Sequence, residues 1–222
     1  MTDGTEGSRH RARSPRMARD ERRAQVLHIA QGLFSSEGFH HVSMDDIADR
    51  AEVSKPVLYR HFPSKLDLYL AVVDQCGSDL LAAVEVAVAP LEAGPVHRGA
   101  GRDVIAAIVR AYIDFVDVAG ESSTLLFESD VTHDADVRAR VEHASLEAAR
   151  RISAVLAQVT GLAPAASDTL AVSLIAMAQG AATHRLRSTP VADAGLTAEL
   201  VTQLAWGGVA GLVRPDFVYE EA

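Results

Sequence analysis

The chain has 222 residues, of which 48% are hydrophobic and 5% aromatic, with one cysteine and a formal net charge of −9. That length is sufficient for a small domain and a larger one, each with its own core. The sequence contains no run of about 18 uncharged apolar residues, so no membrane span is predicted. No apolar segment follows the N-terminal arginines, as it would in a secretory signal. A single cysteine excludes an internal disulfide and fits a reducing cytoplasm.

Positive and negative charges are divided unevenly along the chain. Residues 1–65 carry 11 Lys and Arg against 9 Asp and Glu, a net charge of +2, whereas residues 66–222 carry 10 against 21, a net charge of −11. An acidic body disfavours non-specific binding of nucleic acid, so contact with DNA is expected in the head alone. Residues 1–18 are predicted to be a disordered basic arm that follows phosphates or enters the minor groove, or else a solubilising tail. The arginines crowding this end are Arg9, Arg11, Arg13, Arg16, Arg19, Arg22 and Arg23.

Three short helices are predicted after the arm, in residues 19–65. The first spans residues 20–38 and ends at Gly38. Ser43 and Asp46 have the spacing of a capping box that starts the second helix, and Ser54 is placed as the N-cap of the third. The tight turn between the last two predicts a helix-turn-helix with the third helix as reader, and an ordinary pair of amphipathic helices is the alternative. The apolar stripe of the first helix consists of Val26, Ile29, Ala30, Leu33 and Phe34.

The residues of this segment are assigned to two kinds of contact with DNA. Contacts with the backbone are assigned to Ser43, Met44, Tyr59, His61 and Lys65, with Met44 acting through its main-chain N–H. Contacts with base edges are assigned to Lys55, Pro56, Val57 and Arg60, and Ser54 joins the interface at the start of the reader helix. For Tyr59, packing is the alternative. Lys55 and Lys65 are the only lysines of the sequence, and both fall in a first helical turn, where contact with a phosphate would explain a charge that opposes the helix dipole.

A long helix joins the head to the body. Phe62-Pro63 ends the reader helix, and Ser64 with Asp67 forms a second capping box. The helix that starts there is predicted to run to about Pro90, followed by a linker over residues 91–101.

The body, residues 66–222, is predicted to consist of helices. No alternating strand pattern occurs, so the fold class is all-α, a three-helix head followed by a C-terminal bundle for ligand binding and dimerisation. Gly120 and Gly161 end two helices and Asp134 caps another. The predicted helices cover residues 102–119, 123–129, 134–160, 166–187 and 196–213.

Small residues in the last two helices, within about residues 166–213, predict a homodimer. A smooth surface lets helices of two copies approach closely in a two-fold four-helix contact, with Trp206 filling the seam, and close packing within one chain is the alternative. Dimerisation is also required because one small head buries too little surface to select a genomic site. The small residues are Ala176, Ala178, Gly180, Ala181, Ala182, Gly207, Gly208, Ala210 and Gly211.

The few aromatic residues of the central helices predict where a small apolar ligand binds. A cleft between helices lined by such side chains is a common ligand site in a bundle, and an ordinary hydrophobic core is the alternative for each of them. The candidate ligand-binding residues are Tyr112, Phe115, Leu125, Leu126, Phe127 and Met177.

The segment from about Arg22 to Ala71 resembles the TetR family of bacterial one-component transcription regulators. The motifs that carry the resemblance are Ala30-Gln31-Gly32-Leu33-Phe34, Glu37-Gly38-Phe39, Ser43-Met44-Asp45-Asp46-Ile47-Ala48, Val53-Ser54, Leu58-Tyr59-Arg60-His61-Phe62 and Ser64-Lys65. The resemblance implies a TetR-like fold, a palindromic DNA operator bound by a homodimer, and an affinity modulated by a small ligand. It also implies that Tyr59 lies at the DNA backbone.

Four further motifs are similar to actinobacterial TetR-type regulators of fatty-acid synthase genes. They are Lys55-Pro56-Val57-Leu58-Tyr59, Leu66-Asp67-Leu68-Tyr69-Leu70-Ala71-Val72, Leu126-Phe127-Glu128-Ser129-Asp130 and Gln203-Leu204-Ala205-Trp206-Gly207-Gly208. This similarity implies that the effector is a long-chain acyl-CoA, with Arg110, Arg138, Arg185 or Arg187 as candidates to meet its phosphates. Regulators of this closer kind include activators, whereas the family at large is mostly repressive.

Other functions are weighed against this interpretation. An enzyme is not favoured, because no Gly-rich phosphate loop, His-Glu-x-x-His or Gly-x-Ser-x-Gly motif occurs, and no cofactor or metal site is predicted. A repressor of an efflux or detoxification gene that responds to a drug-like ligand is the main alternative. An all-α interaction protein that does not bind DNA is the remote one, and Lys55 and Arg60 on the reader face argue against it.

Overall fold

The computed structural model describes residues 19–92, 100–127 and 134–210, and the predicted basic arm (residues 1–18) lies outside this range. Within these residues the chain is helical and contains no strand, as predicted. A 3-10 turn over Gly120–Ser123 separates the fifth helix from the sixth. The α-helices are α1 (Arg19–Glu37), α2 (Met44–Arg50), α3 (Lys55–His61), α4 (Lys65–Glu92), α5 (Ala100–Ala119), α6 (Thr124–Phe127), α7 (Ala135–Thr160), α8 (Pro164–Arg187) and α9 (Ala194–Ala210).

The head consists of α1, α2 and α3, and its caps explain where α2 and α3 begin. The Ser43 hydroxyl accepts the Asp46 N–H at 3.1 Å, and the Asp46 carboxylate accepts the Ser43 N–H at 2.8 Å, which completes the predicted capping box. The Ser43 hydroxyl also donates to the Asp46 carboxylate at 2.6 Å, and this bond first, and then the bond from the Ser43 N–H, lowers the pKa of Asp46. Ser54 is the N-cap residue of α3 as predicted, but its hydroxyl makes no capping hydrogen bond.

The head and body share one continuous apolar core. Tyr69, on the second turn of α4, is fully buried and meets the rings of Phe34 and Phe39 edge-on at centroid distances of 5.1 and 5.0 Å. The Ser64–Asp67 box caps α4, and the helix continues past Pro90 to Glu92. The helix α4 therefore belongs to both the head and the body.

In the body, α4 and α7 run parallel in a fixed register. Two ion pairs connect them, Asp74 with Arg140 and, eleven residues further along both helices, Glu85 with Arg151. Between these pairs the helices touch so closely that a Cβ on Gly77 would lie 2.9 Å from the Cβ of Ala144. No helix within the described ranges is both long and apolar enough to cross a bilayer.

A second contact between body and head is made by the 3-10 turn. Gly120 adopts a left-handed φ of 54°, which turns the chain after α5. The buried Ser122 then donates its hydroxyl to that of Ser35 at the end of α1, at 3.1 Å. The predicted helix over residues 123–129 is therefore a 3-10 turn followed by the short α6, and residues 128–133 lie outside the described part.

Cys76 in α4 is expected to be chemically inert in the folded protein. Its side chain is 1% exposed, and burial, reinforced by Asp79, raises the pKa of the thiol to about 12. Because the thiolate is the reacting species, we expect dithionitrobenzoate at pH 8 to titrate this single thiol only after denaturant is added. Complete reaction within minutes in native buffer would contradict the placement of Cys76 in the core.

Candidate nucleic-acid interface and apolar pocket

The reader helix α3 is attached by one face and presents the other to solvent. Leu58 is fully buried and Phe62, its C-cap, nearly so, while Val57 and His61 are half-buried. This arrangement follows from the helical period, which places residues 58 and 62 on one face and residues 55, 56, 59 and 60 on the others. The exposed residues at the candidate interface are Ser43, Ser54, Lys55, Pro56, Tyr59 and Arg60.

The turn between α2 and α3 has a conformation that the sequence did not reveal. Glu52 adopts a φ of 52° in the left-handed region, where glycine or asparagine is the usual residue. The turn is held by main-chain bonds from Glu52 to Asp49 at 3.2 Å and from Val53 to Ala48 at 3.0 Å. The angle between the two helices is thus fixed by the backbone, with a glutamate in place of the customary glycine.

Lys55 is held by an acidic neighbour from α2. Its ammonium donates to the Asp45 carboxylate at 2.7 Å, and both side chains are more than half exposed. The hydrogen bond and charge of Asp45 raise the pKa of Lys55. Asp45 therefore orients Lys55 in the free head, and the contact of Lys55 with DNA stays a prediction.

Lys65 is engaged in the interior of the head. Its ammonium donates to the carbonyls of Phe39 and Val42 at 2.8 and 3.0 Å and lies 4.3 Å from the centroid of the Phe39 ring. These bonds give a structural reason for a lysine at this helix start, because the ammonium stabilises the loop between α1 and α2. Its assignment to the DNA backbone stays a prediction.

A cationic cleft of about 550 Å³ lies between the start of α1 and α3. Its basic residues are Arg19, Arg22, Arg60 and His61. Burial, assisted by Arg60, Arg19 and Arg23, lowers the pKa of His61 and favours its neutral form. The arginine-rich composition of residues 1–23 indicated a basic surface at this end of the chain, but only the fold brings Arg19 and Arg22 beside the reader helix.

The outer faces of α8 and α9 are apolar and exposed. On α9, Leu196, Leu200 and Leu204 follow at intervals of four residues and are 57–69% exposed. A Cβ added to Gly207, Gly208 or Gly180 would meet no atom within 4 Å. Other members of the small-residue set, Ala178 and Ala182, instead face the core of the chain.

The predicted ligand residues of α5 and α6 cluster at the end of the body nearest the head. Phe127 stacks on Tyr112 at 6.3 Å and meets Phe115 edge-on at 5.9 Å. Burial raises the pKa of Tyr112. Leu125 and Leu126 are buried as well, while Met177 on α8 is partly buried against the core. The structure thus brings the aromatic residues together, and their contact with a ligand stays a prediction.

An apolar cavity that sequence reasoning missed lies farther from the head. Its volume is about 30 Å³, and helices α4, α5, α7, α8 and α9 all contribute to its wall. Trp206 belongs to this wall and is partly buried within its own chain, and the expectation that it fills a seam between two copies stays a prediction. The described lining residues are Val88, Gly101, Val104, Ile105, Ile108, Ile152, Val155, Leu156, Leu174 and Trp206.

Two of the arginines considered for phosphate binding have well-defined surroundings. Arg185 is buried, pairs with Asp117 of α5 and donates to the carbonyl of Ala192 at 3.1 Å. It therefore joins α8 to α5 and to the start of α9, which removes it as a contact for a ligand. Arg110 lines an open groove of about 850 Å³ between α1, α4 and α5.

Comparison with known proteins gives a consistent result. The family model for "Bacterial regulatory proteins, tetR family" matches residues 26–72. The HTH-type transcriptional activator FasR of Mycolicibacterium smegmatis is 35% identical over 198 residues, 89% of this chain and 87% of that protein. A TetR-like transcriptional regulator from Rhodococcus sp. RHA1 superposes with a TM-score of 0.68 at 28% identity, over 88% of this chain and 100% of that one. FadR from Bacillus subtilis, solved in complex with stearoyl-CoA, has a TM-score of 0.68 at 12% identity over 83% and 98% of the two chains, a likeness of fold alone.

Proposed function

This chain belongs to the TetR family of bacterial regulatory proteins and is a transcriptional regulator. From that premise we propose that it binds a palindromic operator as a homodimer and that a small apolar effector modulates this binding. The observation that carries the proposal is an exposed, cationic reader helix on a head whose core is continuous with the apolar interior of the body.

In the proposed complex, α3 enters the major groove. Lys55 and Arg60 contact base edges, and Pro56 and Val57 supply apolar contacts. Backbone positioning falls to Ser43, the Met44 N–H, Ser54, Tyr59, His61 and Lys65. Arg19 and Arg22 add phosphate contacts, because they flank the same cleft as Arg60.

The exposed faces of α8 and α9 support dimerisation. A stripe of three exposed leucines beside open glycines is apolar surface that a soluble monomer rarely leaves in water. Packed against its symmetry copy, such a face forms an isologous interface in which every contact occurs twice.

Long-chain acyl-CoA is the proposed effector class. Its apolar chain suits the interior of the body, where the helix α5 borders an apolar cavity and carries two of the three clustered aromatic rings, Tyr112 and Phe115. The shared fold of a regulator solved with stearoyl-CoA supports the choice, as does the similarity of four sequence motifs to regulators of fatty-acid synthase genes. Arg110, at an open groove on the same helix, is the described arginine best placed for the phosphates.

The effector acts by selecting one spacing of the two heads. A ligand that binds one state of the body better shifts the equilibrium by the difference in its affinities. Two elements carry that shift into the head, the long helix α4 and the 3-10 turn bonded through Ser122 to Ser35.

The proposal is tested by fluorescence anisotropy with the DNA upstream of the protein's own gene. We expect that fragment to be bound at least about 10³-fold more tightly than random DNA at physiological salt. Addition of palmitoyl-CoA is expected to change the affinity about 5- to 150-fold, and the sign of the change shows whether the effector releases or strengthens DNA binding. Equal affinity for operator and random DNA at every salt concentration would overturn the DNA-binding part, and an affinity unaffected by acyl-CoA the effector part.

A further inference from the structure

The first turn of α5 and the ring of Trp206 make an unusually close contact. A Cβ on Gly101 would lie 2.9 and 3.1 Å from two atoms of the indole, nearer than such atoms approach in proteins. The absence of a side chain at position 101 is thus what allows the ring to lie there. One residue further along, Arg102 pairs with Glu199 of α9 at 2.7 Å. Two independent contacts therefore hold α9 against this end of α5.

Behind the ring lies the apolar cavity. Every described residue of its wall is aliphatic apart from Gly101 and Trp206, and the indole N–H of Trp206 is the one polar side-chain group among them. At about 30 Å³ the cavity holds one or two water molecules by size, yet a buried water needs two to four polar partners and these side chains offer at most one. Such a space suits a hydrocarbon group, and a longer ligand requires the side chains around it to move.

The cavity lies at one end of a row of apolar side chains along α5. From Gly101 the same face of the helix presents Ile105, Ile108 and Tyr112, whose ring stacks on Phe127. This row is about 16 Å long at 1.5 Å per residue. A ligand that follows it has to be long and apolar, which suits an unbranched aliphatic chain better than a compact ring system.

We infer that Trp206 is the end wall of a pocket for an unbranched aliphatic chain, and that it sets the longest chain that the protein accepts. The inference rests on the proposed function, since it specifies how the apolar effector is recognised. The terminal methyl group lies against the indole, because a carboxylate or a thioester-linked head group buried at this end would find no charged partner and at most the indole N–H as a polar one among the described lining residues. Trp206 is therefore a specificity-determining residue.

The first test measures chain-length preference. Saturated fatty acids of 10 to 22 carbons compete with cis-parinaric acid for the full-length protein, so the readout does not need tryptophan. For the unmodified protein we expect the affinity to rise roughly fourfold per methylene until the chain reaches the indole, and to fall for longer chains. The chain length at which the affinity stops rising is called the break. In Trp206→Ala we expect the break to move to chains at least two carbons longer, whereas in the control Leu146→Ala, which replaces an exposed leucine of α7, we expect it to stay. A break that is unchanged in folded Trp206→Ala overturns the inference.

A second test needs no substitution, because Trp206 is the only tryptophan of the sequence. Bromine quenches indole fluorescence on contact. We expect 16-bromohexadecanoic acid to quench the emission of Trp206 strongly and 2-bromohexadecanoic acid weakly, at equal occupancy of the protein. Equal quenching, or the reverse order, overturns the placement of the methyl end.

The pocket for an aliphatic chain and the regulatory function can be disproved separately. If no fatty acid or bromo acid binds while the protein still selects its operator, the inference is overturned and the regulatory function stands. If the chain-length break moves as expected but operator and random DNA are bound alike, the DNA-binding function fails and the inference stands.

Discussion

The double substitution Leu200→Glu/Leu204→Glu is expected to convert the protein into a monomer and to weaken operator binding at least about 100-fold. Both side chains are more than half exposed on α9, so the fold of one chain loses little when they are replaced. In an isologous interface the two leucines are present twice, and burial of each contributes about 1.5–3 kcal/mol. Four lost leucines thus remove roughly 6 kcal/mol or more from the dimer, before the cost of burying carboxylates.

The loss of DNA affinity follows from geometry. A dimer holds two reader helices at the spacing of two half-sites, and a monomer reads one half-site only. Sedimentation velocity measures the oligomeric state, and anisotropy measures operator binding at the same protein concentration. The matched control is Leu146→Glu, the same change at a leucine of α7 that is 53% exposed; we expect it to remain dimeric. A double variant that sediments as a dimer would contradict the assignment of this interface.

The head could be predicted almost residue by residue because its signals are local. The capping boxes at Ser43 and Ser64 fix where α2 and α4 begin, and Gly38 follows the last residue of α1. These signals depend on hydrogen bonds between residues three or four apart, which the sequence displays directly. The order and approximate bounds of the body helices follow from the same kind of evidence.

What the sequence did not reveal depends on contacts between distant segments. The packing of Trp206 within its own chain was not predicted, because it depends on Gly101, 105 residues away along the chain, which leaves room for its ring. Arg185 was a candidate for phosphate binding, but it is buried against Asp117. A periodic pattern shows that a face is apolar and does not show which element covers it.

The small residues of α8 illustrate the same limit. All were interpreted as a surface for helix–helix approach, yet Ala178 and Ala182 are buried within the chain whereas Gly180 is open. Helices with small residues on several faces have no marked amphipathic direction, so the sequence cannot tell the inward face from the outward one. The exposed leucines of α9, rather than the glycines, are thus the better evidence for the interface.

The double substitution Lys55→Ala/Arg60→Ala is expected to weaken operator binding at least about 30-fold, since a good base contact by Lys or Arg is worth about 1–3 kcal/mol. Both side chains are exposed on α3, so the free energy of unfolding should change little. Competition with random DNA separates two roles, because loss of a base contact lowers the preference for the operator, whereas loss of a phosphate contact weakens binding to all sequences and reduces the salt dependence. The control is Arg150→Ala, an exposed arginine of α7 paired with Glu147, which should bind the operator normally.

Substitution of Asp45 tests the same interface, but here we expect DNA binding to become tighter and not weaker. Its carboxylate accepts the Lys55 ammonium at 2.7 Å in the free protein, so DNA has to compete for that cation or bind it together with its partner. We expect Asp45→Asn to tighten binding to random DNA more than binding to the operator, because it removes one negative charge from the head and releases Lys55 from its fixed direction. In Lys55→Ala the same change at Asp45 should have a smaller effect, since only the general charge term is left. If Asp45→Asn alters affinity equally with and without Lys55, the ion pair has no part in selecting the operator, and the orientation of Lys55 by Asp45 is a feature of the free head alone.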